Sequence, residues 1–166
     1  MNKIVEGKAF VFGNNIDTDQ IYPGRYLALT DPEAVAKHAM EGADPDFVSQ
    51  VKPGDIIVAS KNFGCGSSRE HAAITLKSAG VGAILAESFA RIFYRNAINL
   101  GLPLLVIPEI CAKVKTGDRL SVDIQTGMVR NETSGIEISG EQISEYMFHI
   151  LENDGIKNLI KEQYEK

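Results

Sequence analysis

Hydrophobic and polar positions along this chain follow two different regimes. Residues 55–60 (Asp-Ile-Ile-Val-Ala-Ser), 82–86 and 104–107 are short, almost unbroken apolar runs, the pattern of strands buried on both faces in a parallel sheet. Helical periodicity lies between them. One helix is predicted over 67–78. A second, capped by Ser88, places Phe89, Ile92, Phe93, Ala97 and Leu100 at the i, i+3, i+4 spacing of one buried face and ends at Gly101-Leu102-Pro103. Strand, helix, strand, helix, strand predicts an α/β core with crossover connections.

The flanks read differently. Residues 4–12 are β-rich and close at the turn residues Gly13-Asn14-Asn15. Asp31-Pro32 has the form of an N-cap followed by proline at the first helical position, which predicts a helix through 33–40 that stops near Gly42. Beyond residue 107, the segment 120–124 alternates, Thr126-Gly127 is a turn, and 128–131 and 136–138 are short strands. An antiparallel meander is expected there. Helices over 140–151 and 154–164 follow. No linker, repeat or low-complexity tract interrupts the chain, so residues 1–166 are expected to form one domain, with a core at about 4–107 and a meander and helical tail at about 108–166.

Composition narrows the function classes. With 17 Lys+Arg against 22 Asp+Glu the formal charge is −5, which argues against nucleic acid as a partner. Two cysteines, Cys65 and Cys111, exclude a disulfide scaffold and are too few for this chain to hold a Cys-ligated iron-sulfur cluster. The three histidines, His38, His71 and His149, lack zinc-ligand spacing. No apolar run is long enough to span a bilayer, and residues 1–8 carry no stretch of signal-peptide length. A cytoplasmic protein without membrane partners is expected, in which the sequon Asn131-Glu132-Thr133 is inert.

Two segments offer chemistry. Gly64-Cys65-Gly66-Ser67-Ser68-Arg69-Glu70-His71 lies where a buried strand gives way to a helix, the preferred ligand position in an open α/β sheet. Two glycines permit close backbone approach, and Arg69 supplies a fork for a carboxylate. The competing reading is a capping box, Ser67-x-x-Glu70, at an ordinary helix start. A dinucleotide fingerprint fails because Arg69 replaces its third glycine, and there is no Walker lysine or nucleophile elbow. Residues 60–95 hold five basic side chains (Lys61, Arg69, Lys77, Arg91, Arg95) against Glu70 and Glu87, a positive region suited to a small anion. Arg91 and Arg95 are like charges at i, i+4, which either lie in solvent or face something negative. The second segment, Asn15-Ile16-Asp17-Thr18-Asp19-Gln20-Ile21, pairs two aspartates without the rest of a calcium loop. A turn or cap role is the simple alternative.

These two segments, with Ser88-Phe89-Ala90-Arg91-Ile92-Phe93, occur in an order that resembles the swivelling domain of the aconitase superfamily. The form is that of a separate small subunit, as in isopropylmalate isomerase and its relatives. The resemblance implies a three-layer β/β/α swivelling fold of the aconitase C-terminal type. It also implies a hydro-lyase of leucine biosynthesis that interconverts 2- and 3-isopropylmalate, a small dicarboxylic hydroxy acid, by dehydration and rehydration. A large catalytic partner subunit would hold the [4Fe-4S] cluster, whose open iron acts as a Lewis acid, with no cofactor in this chain. By the same resemblance Ser67 is the base, Arg69 a substrate-carboxylate ligand, Ser68 its hydrogen-bonding neighbour beside Gly66, and Asp19 the partner of a large-subunit histidine. Substrate choice falls to the loop Gly24-Arg25-Tyr26-Leu27-Ala28-Leu29-Thr30, where relatives acting on citrate or homocitrate place an arginine. Tyr26, Leu27, Ala28 and Leu29 suggest an apolar substituent. Hydration of 2,3-dimethylmalate or citraconate is the nearest rival, and a non-catalytic anion-binding regulatory subunit is the alternative from another class.

Overall fold

The first strand joins the two regimes. In the computed structural model, which describes residues 3–164, β1 (Ile4–Val11) is followed by β2 (Ile56–Ala59), β3 (Ala83–Ala86), β4 (Leu104–Val106), β5 (Arg119–Asp123), β6 (Met128–Asn131) and β7 (Ile136–Ser139). They hydrogen-bond in the order β4-β3-β2-β1-β5-β6-β7. Residues Ala9, Phe10 and Val11 of β1 pair in parallel with Ile56, Ile57 and Val58. Ile4 to Lys8 pair antiparallel with Asp123 to Arg119. One strand therefore closes a parallel ladder with its second half and opens an antiparallel one with its first.

Burial follows the sequence pattern. Every residue of β2 and β3 is buried, as an unbroken apolar run requires when both faces are covered. In β5 and β6 buried positions alternate with more exposed ones, so the meander turns one face to water. The buried side chains of both ladders belong to one hydrophobic cluster. Phe10 meets Phe47 edge to face at 4.9 Å within it.

The helices are α1 (Thr18–Ile21), α2 (Pro32–Ala36), α3 (Phe47–Gln50), α4 (Glu70–Ser78), α5 (Arg91–Asn99), α6 (Ile110–Lys113), α7 (Glu145–Glu152) and α8 (Ile156–Tyr164), with a 3-10 turn at Gly24–Tyr26. Asp31 caps α2 as expected, accepting from the Ala34 N–H at 3.3 Å, with Pro32 in the first turn. That helix stops four residues before the predicted Met40. Met40 sits at φ 58 and gives its N–H to the Ile21 carbonyl at 2.7 Å, a tertiary bond that replaces the helical one.

Three further starts are corrected. α7 begins at Glu145, five residues later than predicted, where Ser144 accepts from the Met147 N–H. α5 begins at Arg91 without a side-chain cap, because Ser88 Oγ instead accepts the Asn62 N–H at 2.8 Å from the neighbouring loop. α4 begins at Glu70 with Arg69 in the cap position, so Ser67-x-x-Glu70 is not a capping box. One-turn helices such as α3 and α6 are too short to leave a periodic signature. Among the described residues no helix is long and apolar enough to cross a membrane.

Candidate active site

The loops leaving the C-terminal ends of β1, β2 and β3 are laced together by backbone hydrogen bonds. Asn15 N–H bonds to Lys61 O, Gly64 N–H to Ile16 O, and Thr18 N–H to Cys65 O, each at 2.8 Å. Phe63 N–H reaches Ser88 O at 3.1 Å, and Ala90 N–H returns to Phe63 O at 2.9 Å. Three segments separated by 25 to 48 residues along the chain thus become adjacent at the edge where α/β sheets bind ligands.

Two glycines make the crossing possible. Gly64 has φ +87, and a Cβ there would lie 2.3 Å from Cγ of Phe93 on α5. Gly66 has φ +97 and faces Thr18 Oγ1 at van der Waals distance. Neither position suits an L side chain. Their conformation turns the segment out of the sheet before α4 begins, which leaves Ser67 and Ser68 on the loop.

The result is a cleft of about 510 Å³ whose polar wall is Ser67, Ser68 and Arg69 and whose opposite lip is Arg91, Arg95 and Asn96 of α5. Gly66 and Thr18 also line it. Ser67 Oγ has one neighbour of its own kind, Thr18 Oγ1 at 3.4 Å. Among the described residues, neither Arg91 nor Arg95 has an ion-pair partner. Their i, i+4 repetition thus has a place: both arginines border the cleft.

The two aspartates of the first segment have separate tasks. Asp17 caps α1, accepting from the Gln20 N–H at 2.8 Å while Gln20 Oε1 accepts the Asp17 N–H at 3.0 Å. A capping box therefore exists, but here rather than at Ser67. Asp19 Oδ1 accepts from Arg69 Nη1 at 2.9 Å and from the Gly24 N–H at 2.9 Å. The Arg69 bond, then the Gly24 amide, holds the Asp19 carboxyl below its ordinary value. Arg69 Nη1 also donates to the Tyr22 carbonyl at 3.2 Å.

Not every expected residue is at the cleft. Asp19 reaches it only through Arg69. Tyr26, Leu27, Ala28 and Leu29 do not line it; Leu27 and Ala28 are exposed and the other two half-buried. Sequence reasoning passed over Thr18 and Asn96, which carry no local signal, since only the fold turns them toward Ser67. Among the described residues no group of three or more His, Cys, Asp or Glu could hold a metal ion, and Cys65 and Cys111 are both free thiols.

Comparison with known proteins places this geometry. A family profile described as the aconitase C-terminal domain matches residues 12–109. The chain is 54% identical over 163 residues to the isopropylmalate/citramalate isomerase small subunit of Methanocaldococcus jannaschii, covering 98% of this chain and 97% of that one. It is also 54% identical over 160 residues to the methanogen homoaconitase small subunit of Methanothermobacter thermautotrophicus, covering 95% and 91%. A crystal structure titled 3-isopropylmalate dehydratase, from Methanocaldococcus jannaschii, superposes with a TM-score of 0.93 at 43% identity over 97% of this chain and 95% of that one. The cleft-forming loops fall inside the matched segment, the α/β architecture is shared along nearly the whole length, and the chain belongs to the aconitase C-terminal domain family.

Proposed function

We propose that this chain is the small subunit of a hydro-lyase that interconverts 2-isopropylmalate and 3-isopropylmalate, working with a large subunit that carries a [4Fe-4S] cluster. The observation that carries this reading is the cleft in which Ser67, Ser68 and Arg69 stand together with Arg91 and Arg95. Ser67 Oγ is the base that takes the proton from the carbon α to a carboxylate. Because Ser67 precedes α4 by three residues, its anion is favoured chiefly by the positive field of the three arginines rather than by a place in the helix's first turn. Arg69 grips the carboxylate through its guanidinium fork, with Ser68 and the Gly66 backbone beside it. Asp19 orients Arg69 from behind. Departure of the hydroxyl from the adjacent carbon is the partner's share of the chemistry, since the ligands for a cluster are not in this chain.

Identity does not choose the substrate: relatives at the same 54% carry names with different substrates. The loop does offer a choice. Its one cation, Arg25, is engaged elsewhere, with its guanidinium 4.7 Å from the centre of the Tyr26 ring and 3.6 Å from Glu41 Oε2. A distal carboxylate of homocitrate would therefore find no free cation on the loop. An alkyl-substituted malate suits Leu27 and Ala28 better, isopropyl first and methyl as the close rival, since one methylene is worth only about 1 to 3 kcal/mol of discrimination.

Anaerobic reconstitution with the large subunit, assayed on isopropylmalate, dimethylmalate, citraconate and homocitrate, tests this. Ser67→Ala is expected to lower kcat about 100-fold to 10,000-fold. Its melting temperature should hardly move, the change in stability staying within about 0.5 kcal/mol, because no helix cap is lost. Normal turnover by Ser67→Ala would favour the anion-binding regulatory subunit instead. A wild-type preference for homocitrate would overturn the substrate assignment.

A further inference from the structure

The loop from Gly24 to Thr30 is fastened to the Arg69 side of the site by side chains that do not line the cleft. Tyr22, fully buried, donates its hydroxyl hydrogen to the Tyr26 carbonyl at 2.6 Å. Its ring stacks on His71, with centroids 5.3 Å apart and planes within 16°. His71 Nε2 is 3.2 Å from the Leu29 carbonyl. A carbonyl only accepts, so Nε2 carries the hydrogen. The Tyr26 ring in turn stacks on His38 at 3.6 Å and 13°. Glu41 holds both, with Oε1 accepting the Tyr26 hydroxyl at 3.3 Å and Oε2 lying 3.2 Å from His38 Nδ1.

The same residues reach back to the carboxylate ligand. The Tyr22 carbonyl accepts from Arg69, and the Gly24 N–H shares the Asp19 carboxylate with Arg69. His71 lies two residues beyond Arg69, in the first turn of α4. The loop is thus pinned at residues 24, 26 and 29, and the two residues between the last pins, Leu27 and Ala28, are exposed. Burial raises the Tyr22 phenol, which keeps its hydrogen in place as a donor.

We infer that Tyr22, His38 and His71 are positioning residues that lock the Leu27–Ala28 segment at a fixed offset from Arg69, so that the length of substrate between its carboxylate and its alkyl group is measured by this clamp. The inference rests on the reading of Ser67, Arg69 and the loop given above. Its physical basis is preorganisation: a loop already ordered does not lose its freedom when substrate binds.

The test has one readout on the free full-length chain and one on the enzyme reconstituted with its large subunit. Tyr22→Phe keeps the ring and removes the hydroxyl; His71→Phe keeps the stack and removes the N–H. Amide hydrogen exchange at Leu27 and Leu29, whose N–H groups bond to the Gly24 and Tyr26 carbonyls, should quicken about tenfold in each variant. KM for isopropylmalate should rise about tenfold with kcat changed less than about twofold, and preference for isopropyl over methyl should fall. His71→Gln, which returns an N–H donor, should recover much of KM. Unchanged exchange overturns the clamp. Faster exchange with unchanged KM and unchanged preference overturns the positioning role, while a Ser67→Ala variant that is inactive in the same assay leaves the catalytic reading standing. His38→Leu, which removes the ring stacked on Tyr26, gives the same contrast should either variant fail to fold.

Discussion

The parallel and antiparallel halves of this sheet share a core and a strand, yet they spend their polar residues differently. In the parallel half the strands are apolar throughout, and the polar side chains lie beyond their C-terminal ends, where Ser67 and Ser68 of a loop and Arg91 and Arg95 of α5 border a cleft. In the antiparallel half the most buried polar residue, Asn131, faces inward and is fully satisfied. Its Nδ2 donates to Lys113 O at 3.1 Å and Asp118 Oδ2 at 2.9 Å, and its Oδ1 accepts from the Thr133 and Ser134 N–H groups at 3.1 and 3.2 Å. The contrast teaches where function can reside. Polar groups left with spare hydrogen-bonding capacity gather on loops held by a rigid scaffold, while polar groups inside the scaffold are used up in holding it.

A glycine exchange should split the halves most widely. Gly64→Ala places a Cβ 2.3 Å from Phe93 at a left-handed backbone position, and overpacking plus backbone strain is expected to cost about 3 kcal/mol or more. Gly135, in the β6–β7 turn at φ +80, has nothing within 4 Å of an added Cβ. Gly135→Ala should cost only about 1 to 2 kcal/mol, from the left-handed backbone alone. Urea unfolding of the two variants measures the difference, and equal losses would show that the crossing of the Gly64 loop over α5 is not tight.

Asn131→Ala should come next, at about 2 kcal/mol, because it strands buried donors and acceptors around it. KM and kcat of the reconstituted enzyme should not change at a temperature where the variant is folded. A loss of activity equal to that of a cleft variant would dissolve the distinction between the two halves. The same burial explains why the sequon at Asn131 is closed to glycosylation: both amide hydrogens are bonded and the residue is fully buried.

Acid is expected to act most gently, and on both halves alike. Asp19 is held below its ordinary value first by Arg69, and Asp118 first by the Lys115 N–H and then by Asn131. A lowered carboxyl in the folded state means that the unfolded chain binds more protons through this range, so stability rises with pH there. The contribution is present above the ordinary carboxylate value of about 4 and is lost as pH falls through the lowered value. Asp19→Asn and Asp118→Asn should each flatten the fall of the urea midpoint on acidification, by small amounts because Asp19 is exposed and Asp118 only half-buried, so that solvent and salt screen both. An unaltered slope in Asp19→Asn would mean that its bond to Arg69 is not kept in solution.

Much of the architecture was legible in the chain. Continuous apolar runs marked the parallel strands, alternation marked the meander, and Asp31-Pro32 marked a helix start, because each pattern reports which faces of a local element are covered. The segment around Ser67 and Arg69 was also visible as a glycine-rich junction between strand and helix. The cap assigned to Ser88, and the capping box weighed at Ser67 as the competing reading, both give way to the fold. A cap is a local bond, and here Ser88 Oγ goes to the Asn62 N–H from a different loop while Ser67 stands three residues ahead of its helix. Local propensity ranks the bonds a residue prefers; the tertiary fold decides which partners arrive.

By itself the sequence determined the strands and the existence of the longer helices, the charge of the region between residues 60 and 95, and the residue types available for chemistry. Tertiary structure alone decided that Arg91 and Arg95 share a cleft with Ser67, that Asp19 meets Arg69, and that Tyr22, His38 and His71 meet around one loop. Periodicity is a property of neighbours three or four residues apart, whereas these groupings bring together side chains from separate loops. The parallel pairing of β1, β2 and β3, with the backbone bonds between the loops that follow them, sets those distances.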